Sequence, residues 1–236
     1  MIAWLVFTLL SGLASIVSLA FFIADRFGLV PLIVTTLLSG VGVIGALRSS
    51  VLRSPVFCTQ TGIRLELSDV AGKTATLTKK QQFAPLWEHI TRFDETVNFD
   101  GKLEDFKAEV AGVASNTWQS GTHPGSARYS QEFNRSLRPL RRYSRTVSYR
   151  YVDSYTQNHE FYFVEVLYPG VSLSVEILFP ASRPPTDVTA YRVSGGIRGF
   201  LKELSLEESD SSSFKAIRFR ALMANVGSTY RIEWTW

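Results

Sequence analysis

Two charge-free apolar runs at the start of the chain restrict its fold more than any other feature. Residues 2–24 run from Ile2 to Ala24 without an ionisable side chain, and Asp25 is the first. A second run, residues 29–47, is also uncharged and is closed by Arg48 and Arg53. A helix needs about 20 mostly apolar residues to cross the hydrocarbon core of a bilayer. In lipid the backbone must satisfy its own polar groups, which leaves helices or closed barrels. Pro31 stands in the first turn of the second run, where a missing amide hydrogen costs little. Only residues 25–28 separate the runs, so the two helices turn back tightly and lie antiparallel. The sequence therefore predicts an N-terminal transmembrane α-hairpin over residues 1–48 and a separate domain over residues 49–236, which carries nearly all the charge.

A cleaved signal peptide would have a basic leader and a shorter apolar core, and no Lys or Arg precedes this run. A helix pair that is apolar all round also fits poorly as the core hairpin of a soluble protein. Arg48, Arg53 and Arg64 follow the second run, whereas the turn carries Arg26 offset by Asp25. The positive-inside bias then places both termini and the domain in the cytoplasm. Small residues recur along the helices, with Ser11, Ser15 and Ser18 on one face of the first and Gly42 and Ala46 spaced by four in the second. Such positions let helix backbones approach closely, either within the hairpin or between copies in a homo-oligomer.

Beyond Arg53 the patterns are those of strands. Residues 63–67, 74–78 and 147–152 alternate between apolar and polar positions, and further strands are expected at 186–194, 214–222 and 229–236. Residues 160–167 and 171–179 flank Tyr168-Pro169-Gly170, a strong turn signal that reads as a hairpin. The spacing predicts a mainly-β soluble domain, a small antiparallel barrel or sandwich. Residues 197–206 show helical spacing, residues 83–93 fit helix or strand, and residues 117–126 and 207–213 read as polar loops.

Recognisable catalytic chemistry is absent from the sequence. There is no phosphate-binding loop, dinucleotide fingerprint or nucleophile elbow. One cysteine, Cys58, and three scattered histidines give no metal-ligand spacing. His159 and Glu160 are neighbours, but neighbours on a strand point to opposite faces. The reading is of a chain that is not an enzyme and carries no cofactor or metal. One local feature rises above background, an arginine-rich segment interleaved with tyrosines between residues 128 and 151. Guanidinium offers a planar fork that matches phosphate and stacks on rings. The candidate ligand-binding residues are Arg138, Arg141, Arg142 and Arg145, with Tyr143 and Tyr149. A solvated face, anionic lipid headgroups and a phosphate-bearing ligand such as a nucleotide or nucleic acid all fit this composition.

The apolar runs at 2–24 and 29–47, with strands from 63 to 236, give an outline that resembles a class of bacterial anti-phage effectors. These are the two-transmembrane, β-strand-rich effectors of CBASS systems and the two-transmembrane proteins encoded beside some retrons. The resemblance covers the whole chain as architecture and rests on no diagnostic motif. It implies an effector of the cell inner membrane whose β-domain, a barrel, senses a cyclic nucleotide or a nucleic-acid-bearing defence complex. Its spans would then assemble and perturb the membrane. The alternative is a non-enzymatic membrane tether, or adaptor, whose β-domain docks a protein partner or anionic lipid.

Overall fold

A row of side chains across five neighbouring strands sets the layering of the β-domain. The computed structural model describes residues 54–236 apart from 171, 195–196, 202–205, 212, 223 and 225. The two apolar runs, with Ser11, Ser15, Ser18, Gly42 and Ala46, lie outside the described residues. Among the described residues no helix is long and apolar enough to cross a membrane.

Strands are labelled in chain order. A seven-stranded sheet runs β12 (Glu207–Asp210), β13 (Phe214–Ala221), β9 (Ser172–Pro180), β1 (Val56–Leu67), β2 (Thr74–Pro85), β7 (Tyr143–Val152) and β4 (Lys102–Val110). A four-stranded sheet runs β11 (Ile197–Leu201), β10 (Thr186–Ser194), β14 (Thr229–Thr235) and β8 (His159–Glu165). A three-stranded sheet runs β3 (Ile90–Asn98), β6 (Ser126–Leu137) and β5 (Ser115–His123). All the strand pairings are antiparallel except that of β1 with β9.

The register aligns Ile217, Ile177, Leu65, Leu77 and Tyr149 across the large sheet, and all five are buried. One residue along, the row reads Arg218, Glu176, Arg64, Thr78 and Ser148. Arg64 and Arg218 both pair with Glu176 there. A period of two thus gives the sheet one apolar and one polar face, and a slip of one residue in any strand would exchange them.

Both smaller sheets cover the apolar face. Phe93 of β3 meets Phe83 of β2 edge-to-face at 5.1 Å, and Tyr129 of β6 stacks on Phe106 of β4 at 3.8 Å. On the other half, Trp234 of β14 meets Phe179 of β9 at 5.4 Å. Glycine is required where layers meet. At Gly72 (φ +71°) a Cβ would collide with the Tyr155 carbonyl oxygen, and at Gly170 (φ +80°) with the Phe57 ring.

The domain is mainly β, as expected, and among the described residues its strands form three open sheets, the two smaller ones layered on the larger. Several expectations are corrected. The turn at Tyr168-Pro169-Gly170 does not close a hairpin, because β8 joins the four-stranded sheet while β9 pairs with β1 and β13. Part of the segment expected to be helical, Ile197–Leu201, is β11, paired with β10. The two polar stretches read as loops contain strands, β5 and β12. Each lies at the end of its sheet, where polar side chains suit a strand with one neighbour.

Candidate functional site

The two smaller sheets leave a seam, and a cleft of about 380 Å³ opens along it. Its floor is the large sheet, through Ile63, Lys79, Tyr149 and Tyr151. One wall is formed by the consecutive residues 94–100 and the other by residues 160–165. A strand that presents a face contributes every second residue. Two unbroken runs mean that β3 and β8 meet the cleft edge-on, and each is the terminal strand of its sheet.

One wall is fixed to the floor by buried charge. Glu95 of β3 accepts from Lys79 Nζ at 2.5 Å and from Arg145 Nη1 at 2.9 Å. The side chains of Lys79, Glu95 and Arg145 are only 17, 14 and 4 % exposed. Arg145 Nε also donates to Gln131 Oε1 at 2.9 Å, and its guanidinium lies 5.0 Å from the centre of the Phe93 ring. Burial works against ionised Glu95, but the charges of Lys79 and Arg145 outweigh it and bring its pKa down to about 2.

The floor and far wall are aromatic and protonated. Burial pushes the Tyr149, Tyr155 and Tyr162 phenols well up, and Tyr151 to about 12. Glu160 differs from Glu95. It is 4 % exposed, and its Oε1 accepts from the Gln157 amide at 2.6 Å. Burial and the charge of Asp100 raise its pKa. No salt bridge among the described residues reaches Asp100, Glu160 or Glu165. His159 points the other way, to within 3.9 Å of Glu233, as strand alternation requires.

The arginine-rich segment is divided by the fold. Arg138, Arg141, Arg142 and Tyr143 line a separate groove of about 290 Å³ with Arg135 and residues 111–113. The Arg138 amide donates to Tyr143 Oη at 2.9 Å, and the Arg141 guanidinium lies 5.8 Å from the centre of the Tyr143 ring. Arg138, Arg141 and Arg142 enter no salt bridge among the described residues. Arg145 and Tyr149 do not join them. Both are buried, Arg145 in the Glu95 network and Tyr149 on the cleft floor, because the three-stranded sheet covers the face of β7 that carries them. Asp100, Phe161 and Phe163 were not singled out from the sequence, and Glu160 drew notice only as the neighbour of His159. The available signal was β8 itself, which places apolar side chains at both parities.

No protein-family model and no curated protein matches the sequence. Among solved structures, a crystal structure of an M1 zinc metallopeptidase from Deinococcus radiodurans is similar over 76% of this chain and 42% of its own, at 10% identity and a TM-score of 0.49. A putative protease from Parabacteroides distasonis ATCC 8503 is similar over 77% of this chain and 40% of its own, at 8% identity and a TM-score of 0.52. The chain thus spans about two fifths of the length of the structures it resembles. At such identity the second likeness speaks to the fold alone.

Proposed function

We propose that this chain is a non-enzymatic membrane tether whose β-domain docks a protein partner in the cleft between β3 and β8. The two N-terminal runs hold the domain at the cytoplasmic face of the inner membrane. The single observation that carries the docking role is the cleft itself, walled by the terminal strands of two different sheets. Terminal strands with open main-chain groups are sites for association, and Phe161 and Phe163 stand 38 and 37 % exposed beside this one. In the full chain, a photoreactive side chain in place of Leu167, which is exposed and also lines the cleft, gives one defined, stoichiometric crosslinked partner. Phe161→Glu with Phe163→Glu lowers its yield at least tenfold while the chain stays in the membrane fraction. Unchanged recruitment of that partner by the double variant contradicts the reading.

The groove beside Arg138 favours a second reading, that of an anti-phage effector triggered by a phosphate-rich signal. Three arginines that line one groove with Tyr143 and enter no salt bridge among the described residues suit a nucleotide or an anionic headgroup. On this reading, Arg141→Glu with Arg142→Glu abolishes loss of membrane potential during phage challenge and leaves membrane insertion unchanged. Depolarisation equal to that of the parent chain contradicts it.

A further inference from the structure

The hydrogen bonds flanking β8 determine which of its backbone groups are open. The Val166 amide donates to the Ser228 carbonyl at 3.0 Å, and the Val166 carbonyl accepts from Gly227 at 2.8 Å. At the other end the Trp236 amide donates to the Asn158 carbonyl at 3.0 Å. The register between β8 and β14 is unbroken from His159 to Glu165. In an antiparallel ladder every second residue bonds to a given neighbour. Residues 160, 162 and 164 therefore face β14, and Phe161, Phe163 and Glu165 aim their N–H and C=O groups at the open edge.

The two walls differ as pairing edges. Applied to β3, the same rule uses the Phe99 amide, which bonds the Gly125 carbonyl beside β6 at 2.9 Å. It leaves Asp94, Thr96 and Asn98 outward. Asp and Asn are depleted in strands, and charge on an edge blunts pairing. The open edge of β8 carries two phenylalanines, and its one acidic residue, Glu165, stands at the end of the strand.

Charge specifies the occupant further. The whole chain is net +4, yet the cleft is lined by Asp94, Glu95, Asp100, Glu160 and Glu165 against Lys79 alone. Glu95 is held by Lys79 and Arg145, and Asp94 by Arg92 and Arg128. Asp100, Glu160 and Glu165 enter no salt bridge among the described residues, and Glu160 lies buried on the inward face of β8.

From this geometry we infer that the partner contributes an extended cationic segment, added as a fifth strand along β8 with a lysine or arginine beside Glu160. The inference rests on the docking reading above. The main chain of the segment bonds Phe161, Phe163 and Glu165. Its inward side chains lie beside Glu160, Tyr162 and Val164, so the cation stands at one end of a row of apolar residues at every second position. Its outward side chains lie beside Phe161 and Phe163.

The test pans a displayed random dodecapeptide library against the full chain in nanodiscs. Recovered peptides are expected to share a basic residue at one end of a row of alternating apolar ones. N-methylation of such a peptide at the residues whose amides face β8 weakens binding at least tenfold, and N-methylation at the intervening residues does not. The substitution Phe163→Pro removes an outward N–H and leaves the β14 ladder intact, so it abolishes binding to a folded chain, whereas Phe163→Ala retains part of it. Asp100→Asn with Glu160→Gln removes the preference for the basic residue. Recovered peptides that ignore Phe163→Pro, or none at all, overturn the docking reading itself. Peptides that bind the cleft but lack a basic residue, or that tolerate N-methylation at either parity, overturn only the cationic added strand. Self-association lost with Phe163→Pro would make a second copy the occupant and also overturn it.

Discussion

Glu95→Ala lowers the stability of the β-domain by about 3–5 kcal/mol, because it leaves two buried cations without their anion. Lys79 and Arg145 both point at this carboxylate from the large sheet. At about 2–4 °C per kcal/mol for a domain of this size, the melting temperature falls by about 10 °C. Replacing the group as a whole, with Lys79→Met, Glu95→Leu and Arg145→Met, recovers much of the loss, since apolar substitutes for a buried ionic cluster are often neutral. The same carboxylate sets an acid limit. Its folded pKa of about 2 lies below the ordinary value of 4.5. Its stabilising contribution is therefore complete above about pH 4.5 and is lost as pH falls towards 2. Thermal melts between pH 7 and pH 2 show the parent converging on Glu95→Ala at the acid end.

Trp234→Ala produces a loss of similar size, about 3–5 kcal/mol, for a different reason. The indole is fully buried between the four-stranded sheet and β9, in contact with Tyr155, Phe179 and Trp236. Removing it opens a cavity where the two layers meet. Trp234→Phe costs far less. Among the described residues the buried indole Nε1 has no hydrogen-bond partner, so phenylalanine loses volume but no bond and removes a buried donor that is costly to leave unmet. Denaturant melts of the two variants separate them. Equal losses would mean that the indole nitrogen matters more than its surroundings indicate.

The β-domain was legible in its central strands, where one buried face imposes alternation. Residues 63–67, 74–78 and 147–152 fall in β1, β2 and β7, and residues 186–194 coincide with β10. The layering was not legible. Alternation in β7 gives the parity of Arg145 but not that a second sheet covers it, so a buried ion pair read as a surface cation. Turn chemistry at Tyr168-Pro169-Gly170 reports a reversal and says nothing of which sheet receives the next strand. The polar strands β5 and β12 escaped because terminal strands need no apolar face. For the cleft, β8 held the evidence. Phe161 and Phe163 break the alternation expected of a strand with one wet face, and the placement of β8 at the end of its sheet gives that irregularity its meaning.

Residue-resolved amide hydrogen exchange of the full chain, with and without the tightest peptide from the displayed library, tests the docking site most directly. Added-strand docking slows exchange at Phe161, Phe163 and Glu165 by at least tenfold and leaves Tyr162 and Val164, already bonded to β14, nearly unchanged. Uniform slowing across residues 160–165, or none at Phe161 and Phe163, would contradict it.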